Sequence, residues 1–185
     1  MAKIKRSLAR LYAELEMLKA ESNVIEERQK LTESLCGTEL EGDKGLCRLN
    51  LKWNTADDLD LHLILPSGTL DNNKDIYYSN MKAEYKGGIC SLDHDAIPYK
   101  DYENPQENIV WQNCLPDGEY KVVVKLFHKK SNRSVIPFSI SAFAGSYIHT
   151  QLFEFVEAHN KDIVEIATLS FKNGRVVTPI LFNKK

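Results

Sequence analysis

The hydropathic period of this chain changes once, near residue 46, and that change requires two unlike parts. Residues 1–35 contain neither Gly nor Pro and are rich in Leu, Ala, Glu, Lys and Arg, all good helix formers. Within them Ile4, Leu8, Leu11, Leu15, Leu18 and Ile25 follow the alternating four-and-three spacing of a heptad seam. Leu31 and Leu35 fall out of phase, so the seam slips near Asn23. The spacing predicts a long amphipathic or coiled-coil helix over 1–35 that self-associates, docks on a partner, or folds back on its own domain. Residues 36–45 hold Gly37, Gly42 and Gly45, which end the helix and predict a hinge linker.

From Leu46 onward apolar residues recur at every second position, as in Cys47, Leu49, Leu51, Trp53 and then Leu59, Leu61, Leu63, Leu65. Further strands are expected around 76–79, 89–93, 108–111, 119–128, 135–144, 148–156, 163–171 and 175–182. Pro66-Ser67-Gly68, Pro116-Asp117-Gly118 and Asn173-Gly174 supply tight reversals, the last being the strongest hairpin signal. Many short strands between turns predict a mainly β fold, an antiparallel, jelly-roll-like β-sandwich over 46–185 preceded by the long N-terminal helix. Two stretches without clear alternation, 80–88 and 96–106, are expected to be long loops.

The formal net charge of -2 gives no basic field for a phosphate backbone, which argues against nucleic-acid binding. No run approaches the roughly 18 consecutive apolar residues of a membrane span. The first residues lack an apolar signal core, and Cys36, Cys47, Cys90 and Cys114 form no C-x-x-C pair. The expectation is a soluble cytoplasmic protein with reduced, mostly buried thiols.

Two Asp-x-Asp pairs stand out, Asp58-Leu59-Asp60 and Asp93-His94-Asp95, with Glu107 shortly after. Alternate residues of a strand share a face, so each pair should hold two carboxylates side by side. Several carboxylates with few soft ligands suit a hard cation, and calcium accepts irregular shells of six to eight oxygens. Asp58, Asp60, Asp93, Asp95 and Glu107 are therefore the candidate metal ligands, with Asp57 in reserve. The same residues could instead be acids solvated at strand ends or bonded to turn amides. His62 and His94 are expected to be structural hydrogen-bond partners rather than catalysts.

The ordered series Leu51-Lys52-Trp53, Asp58-Leu59-Asp60-Leu61-His62, Pro66-Ser67-Gly68, Tyr77-Tyr78, Gly87-Gly88, Leu92-Asp93-His94-Asp95, Glu107-Asn108-Ile109 and Pro116-Asp117-Gly118-Glu119-Tyr120 resembles the uncharacterised bacterial YfaP-like β-sandwich domains. The resemblance covers about residues 49–128. It implies an accessory module and carries over no enzymatic activity, and it strengthens the expectation of a cation at the paired aspartates. This chain departs from the family pattern in its N-terminal helix, in lacking a signal peptide, and in Pro105-Gln106-Glu107 where relatives tend to have Gly-Pro-Glu.

No G-x-S-x-G or phosphate-binding loop motif is present. The expectation is a non-enzymatic protein-binding or assembly module, calcium-stabilised, that forms a homo-oligomer or a complex through its helix. The alternatives are a metal-dependent hydrolase using the Asp/Glu cluster and a carbohydrate-binding sandwich with Tyr99, Tyr102 and Trp111 near the acids.

Overall fold

A computed structural model describes residues 10–20, 22–23, 40–97, 105–177, 179–180 and 182–183. The chain divides into two compact units, Met1–Gly37 and Thr38–Lys185. In the first, residues 10–20 and 22–23 are helical, and the rest of the long helix expected over 1–35 lies outside the described residues. The seam residues Leu11, Leu15 and Leu18 are exposed.

The second unit is built of eleven strands: β1 Cys47–Trp53, β2 Asp58–Ile64, β3 Asp75–Ile76, β4 Lys82–Tyr85, β5 Gly88–His94, β6 Gln106–Gln112, β7 Gly118–His128, β8 Val135–Ala144, β9 Tyr147–Val156, β10 Ile163–Lys172 and β11 Arg175–Val176. They form two antiparallel sheets, a six-stranded one in the order β4-β5-β6-β1-β8-β9 and a five-stranded one in the order β11-β10-β7-β2-β3. The period of two explains the core. Leu49, Leu51 and Trp53 of β1, Leu59, Leu61 and Leu63 of β2, and Tyr120, Val122, Val124 and Leu126 of β7 are fully buried in one cluster with residues of both sheets.

Trp111 of β6 meets Tyr120 of β7 at 5.9 Å and Phe171 of β10 at 5.1 Å, both edge to face, so an aromatic contact ties the two sheets. The Tyr120 hydroxyl donates to the Pro116 carbonyl at 2.8 Å and holds the start of β7 against its turn. Tyr120→Phe should therefore cost about 1–2 kcal/mol in urea unfolding, since it leaves a buried carbonyl without its donor. Asn173 and Gly174, with φ of 53° and 68°, close the β10–β11 hairpin, as the two positive angles of this turn demand.

Two expectations need correction. The stretch 80–88 contains a strand, β4, whose Lys82, Ala83 and Glu84 pair with Ser91, Cys90 and Ile89. It is an edge strand with alternating exposed charges, so it carries no apolar signature. Of the expected strand 175–182, the described residues form only β11 and an isolated bridge from Phe182 to Ala167, with 178 and 181 outside the described residues. Of the expected hinge, residues 40–45 are described, and there Glu41 N–H donates to Gln106 Oε1 and Arg48 to the Gly42 carbonyl. Gly45, at φ 52°, lies where a Cβ would fall 2.5 Å from the Trp111 carbonyl oxygen, so close approach to β6 selects glycine.

Cys47, Cys90 and Cys114 are free, and Cys36 lies outside the described residues. Burial pushes the Cys47 thiol up to about 12 and the Cys90 thiol upward as well.

Candidate functional site

With Leu59, Leu61 and Leu63 of β2 in the core, Asp58, Asp60 and His62 fall on the opposite face of that strand. Asp60 stands opposite Lys125 of β7. Strand β3 covers β2 only at Leu63 and Ile64, which leaves the outer edge of β2 open at Leu61. Glu107, carried by β6 of the other sheet, fills the opening, and its Oε2 accepts the Leu61 N–H at 2.7 Å. A core-facing glutamate is placed there because its register partner in β1 is Leu51.

The second Asp pair is split. Strand β5 bulges between Leu92 and His94, so Leu92 faces Ile109 and His94 faces Asn108 with Asp93 as the extra residue. One inserted residue reverses the alternation beyond it. Asp93 then bonds Asn108 Nδ2 at 2.7 Å and the Asp43 N–H at 2.5 Å, away from the other acids. Asp95 turns toward Glu107 and acts electrostatically on Asp58, Asp60 and Glu107. The five expected ligands thus become a group of four, Asp58, Asp60, Asp95 and Glu107, with Asp93 removed by the bulge.

The four share a field that favours protons or cations. Burial, with Asp58 and Asp95 nearby, pushes the Asp60 carboxyl up to about 7 even though Lys125 opposes the shift. Burial first and Asp60 second drive Glu107 well above the usual carboxylate range. Asp58 is raised by burial and by Asp95, against Lys130 and His128. Asp60 Oδ2 and Glu107 Oε1 are buried without a hydrogen-bond donor.

Asp58, Asp60 and Asp95 line a cavity of about 220 Å³ together with Tyr78, Phe127 and Lys130. The two aromatic rings, 5.6 Å apart edge to face, are both partly exposed. This volume is below the ~300–1,000 Å³ of drug-sized ligand sites. Trp111 is buried in the aromatic core, so it offers no sugar platform, and Tyr99 and Tyr102 lie outside the described residues.

Among the described residues, the group of three potential metal-binding side chains with ligand atoms within 4.8 Å of one another is His62, Asp71 and Asp75. No three of Asp58, Asp60, Asp95 and Glu107 reach that spacing. His62 Nδ1 bonds Asp75 Oδ2 at 2.8 Å, the same oxygen accepts the Asp71 N–H at 2.7 Å, and Lys125 Nζ pairs with Asp71 at 3.2 Å. Tyr77 stacks on the His62 ring at 4.8 Å. This second group is tied together by these bonds and shares Lys125 with Asp60, while His62 Nε2 and Asp75 Oδ1 are buried without a hydrogen-bond partner. Asp71 lies in a turn and Asp75 opens the two-residue strand β3, so neither carries a periodic signal, and only the pairing of β3 with β2 brings them to His62.

Asp57, the reserve ligand, is fully buried and used up. Its Oδ1 accepts the N–H groups of Lys130 and Ser131 at 2.8 and 2.7 Å, and its Oδ2 accepts the Ser131 hydroxyl at 2.7 Å. His94 Nε2 lies 3.3 Å from the Glu41 carboxylate. Comparison of the whole chain with family models, curated proteins and solved structures found no match, so the acidic cavity stands on its geometry alone.

Proposed function

We propose that this chain is a non-enzymatic protein-binding and assembly module: a β-sandwich whose acidic, aromatic-walled cavity receives a cationic side chain of a protein partner, joined to a helix that oligomerises or docks. The observation that carries this reading is Asp60, buried with Oδ2 lacking any donor, in a cavity that also holds Asp58 and Asp95. Spread carboxylates flanked by Tyr78 and Phe127 suit an ammonium or guanidinium, which gains from ring faces as well as from charge. The exposed seam of Leu11, Leu15 and Leu18 supports the helix as an association element. Membership of the YfaP-like domains is part of the same proposal and rests on the motif series alone.

Calcium is the second reading, favoured by the same orphaned oxygen and by an all-oxygen donor set. Asp58, Asp60 and Asp95 would hold it, with Glu107 behind them, and it would neutralise the cluster and fix β2 to the segment after β5. The spacing of these carboxylates weighs against it, because calcium needs its oxygens at about 2.3–2.6 Å. Metal-dependent hydrolysis needs a comparable convergence and draws less support. Carbohydrate binding is weakened by the small cavity and by the burial of Trp111.

Thermal unfolding with a tetralysine peptide and, separately, with calcium chloride decides between the first two readings. A probe present at about 100 times its Kd stabilises by about 2.7 kcal/mol, which for a chain of this size is a Tm rise of roughly 5–10 °C. The expected result is a rise with peptide that Asp60→Asn and Tyr78→Ala both abolish. A rise with calcium that survives Tyr78→Ala would favour the metal, and no shift with either probe would sink both.

A further inference from the structure

We infer that β9 is a homodimerisation edge, pairing antiparallel with β9 of a second copy to join two six-stranded sheets into one. The inference is independent of the acidic cavity. The other sheet edges are blunted: β3 and β11 have two residues each, and β4 has four with Lys82 and Glu84 outward. Strand β9 has ten residues, pairs with β8 in unbroken register on one side, and among the described residues borders no strand on the other. It contains no Pro, Gly, Lys or Arg, the residues that protect an open edge. Its free backbone groups form a ready ladder.

The occupant is argued from register. Ile148, Leu152 and Val156 are 65%, 38% and 55% exposed and lie four residues apart on one face of the strand. A two-fold axis perpendicular to a sheet keeps each residue opposite one on the same face, so only shifts of two residues are allowed. Centring the axis on Leu152 places Leu152 against Leu152, Ile148 against Val156 and Thr150 against Glu154. Moving it by one residue either way sets Glu154 against Ile148 or Leu152. One register therefore matches every exposed apolar side chain of the strand with its like, which a strand awaiting an unrelated peptide has no reason to do.

The test uses the full chain and single cysteines under mild oxidation. Leu152→Cys should form a 152–152 disulfide, because directly opposed strand residues lie about 4.5–5.5 Å apart at Cα. Ile148→Cys should not link to itself, since its mates are about 27 Å apart at 3.4 Å per residue, but should link to Val156→Cys in a mixed sample. Peptide mass spectrometry distinguishes these bonds from any formed by native thiols. Sedimentation of Leu152→Lys, which sets like charges face to face on the axis, should show a dimerisation constant weakened about tenfold or more. Absence of the 152–152 bond, or equal self-linking at 148, overturns the proposal. So does its loss when Leu11 and Leu15 are changed to Asp, since association would then reside in the helix.

Discussion

Asp57→Ala is expected to destabilise the protein by about 3–5 kcal/mol, lowering Tm by roughly 10 °C, the largest single effect outside the apolar core. The carboxylate accepts three hydrogen bonds from Lys130 and Ser131, and its own carbonyl accepts the Trp53 indole N–H at 2.8 Å. It thus pins the turn after β7 to the turn before β2. Hydrogen bonds to a charged acceptor contribute about 1.5–3 kcal/mol each, and truncation strands two backbone donors. Asp57→Asn keeps one acceptor oxygen and should lose about half as much.

The same site has a defined acid response. Burial works to raise the Asp57 carboxyl, but the Ser131 and Lys130 bonds outweigh it and hold the group below its ordinary value. A carboxylate depressed in the folded state contributes stability above its unfolded pKa, near 3.9, and loses it as pH falls through the folded value. Urea midpoints measured from pH 5 downward should decline more steeply for the natural chain than for Asp57→Asn. Parallel declines would remove Asp57 from the account of acid unfolding.

The carboxylate group around Asp60 should respond in the opposite sense. Its folded pKa lies near 7, above the unfolded value, so its contribution is complete below about pH 4 and is lost as pH rises through 7. Glu107 is shifted in the same direction by burial and by Asp60. At about 1.36 kcal/mol per unit, Asp60 alone puts roughly 4 kcal/mol at stake between pH 4 and 8 in the absence of added cations. Asp60→Asn should flatten most of that fall, and Glu107→Gln part of it. A cation binds the ionised group and displaces its proton, so any stabilisation by tetralysine or calcium should grow from pH 6 to pH 8. A ligand-induced Tm rise independent of pH over that range would place the ligand elsewhere.

For the proposed module, the consequence is that one cavity would respond to charge twice. At low pH protons quiet the cluster, and at neutral pH the proposed cationic partner would do so. A buried acidic group of this kind is costly when empty, and that cost is what a cationic partner would recover on docking.

Much of the second unit was legible in sequence because its determinants are local. Alternation alone placed Leu59, Leu61 and Leu63 inward and Asp58 with Asp60 outward, and Asn173-Gly174 alone specified a turn whose two residues adopt positive φ. The strands β1, β2 and β5 to β10 follow from the same period. What sequence could not decide depends on which strands become neighbours. The inserted residue in β5 is visible only against β6, yet it sends Asp93 to Asn108 and Asp95 to Glu107. Sequence marks Glu107 as a candidate ligand but not as the acceptor of the Leu61 N–H that the shortness of β3 leaves open. Asp71 and Asp75 join His62 through a pairing of two residues, and the open edge of β9 exists because no strand among the described residues follows it in the sheet. Side-chain periodicity is a property of the backbone and can be read along a line, whereas register, bulges and edges are relations between strands and are fixed only when the sheets assemble.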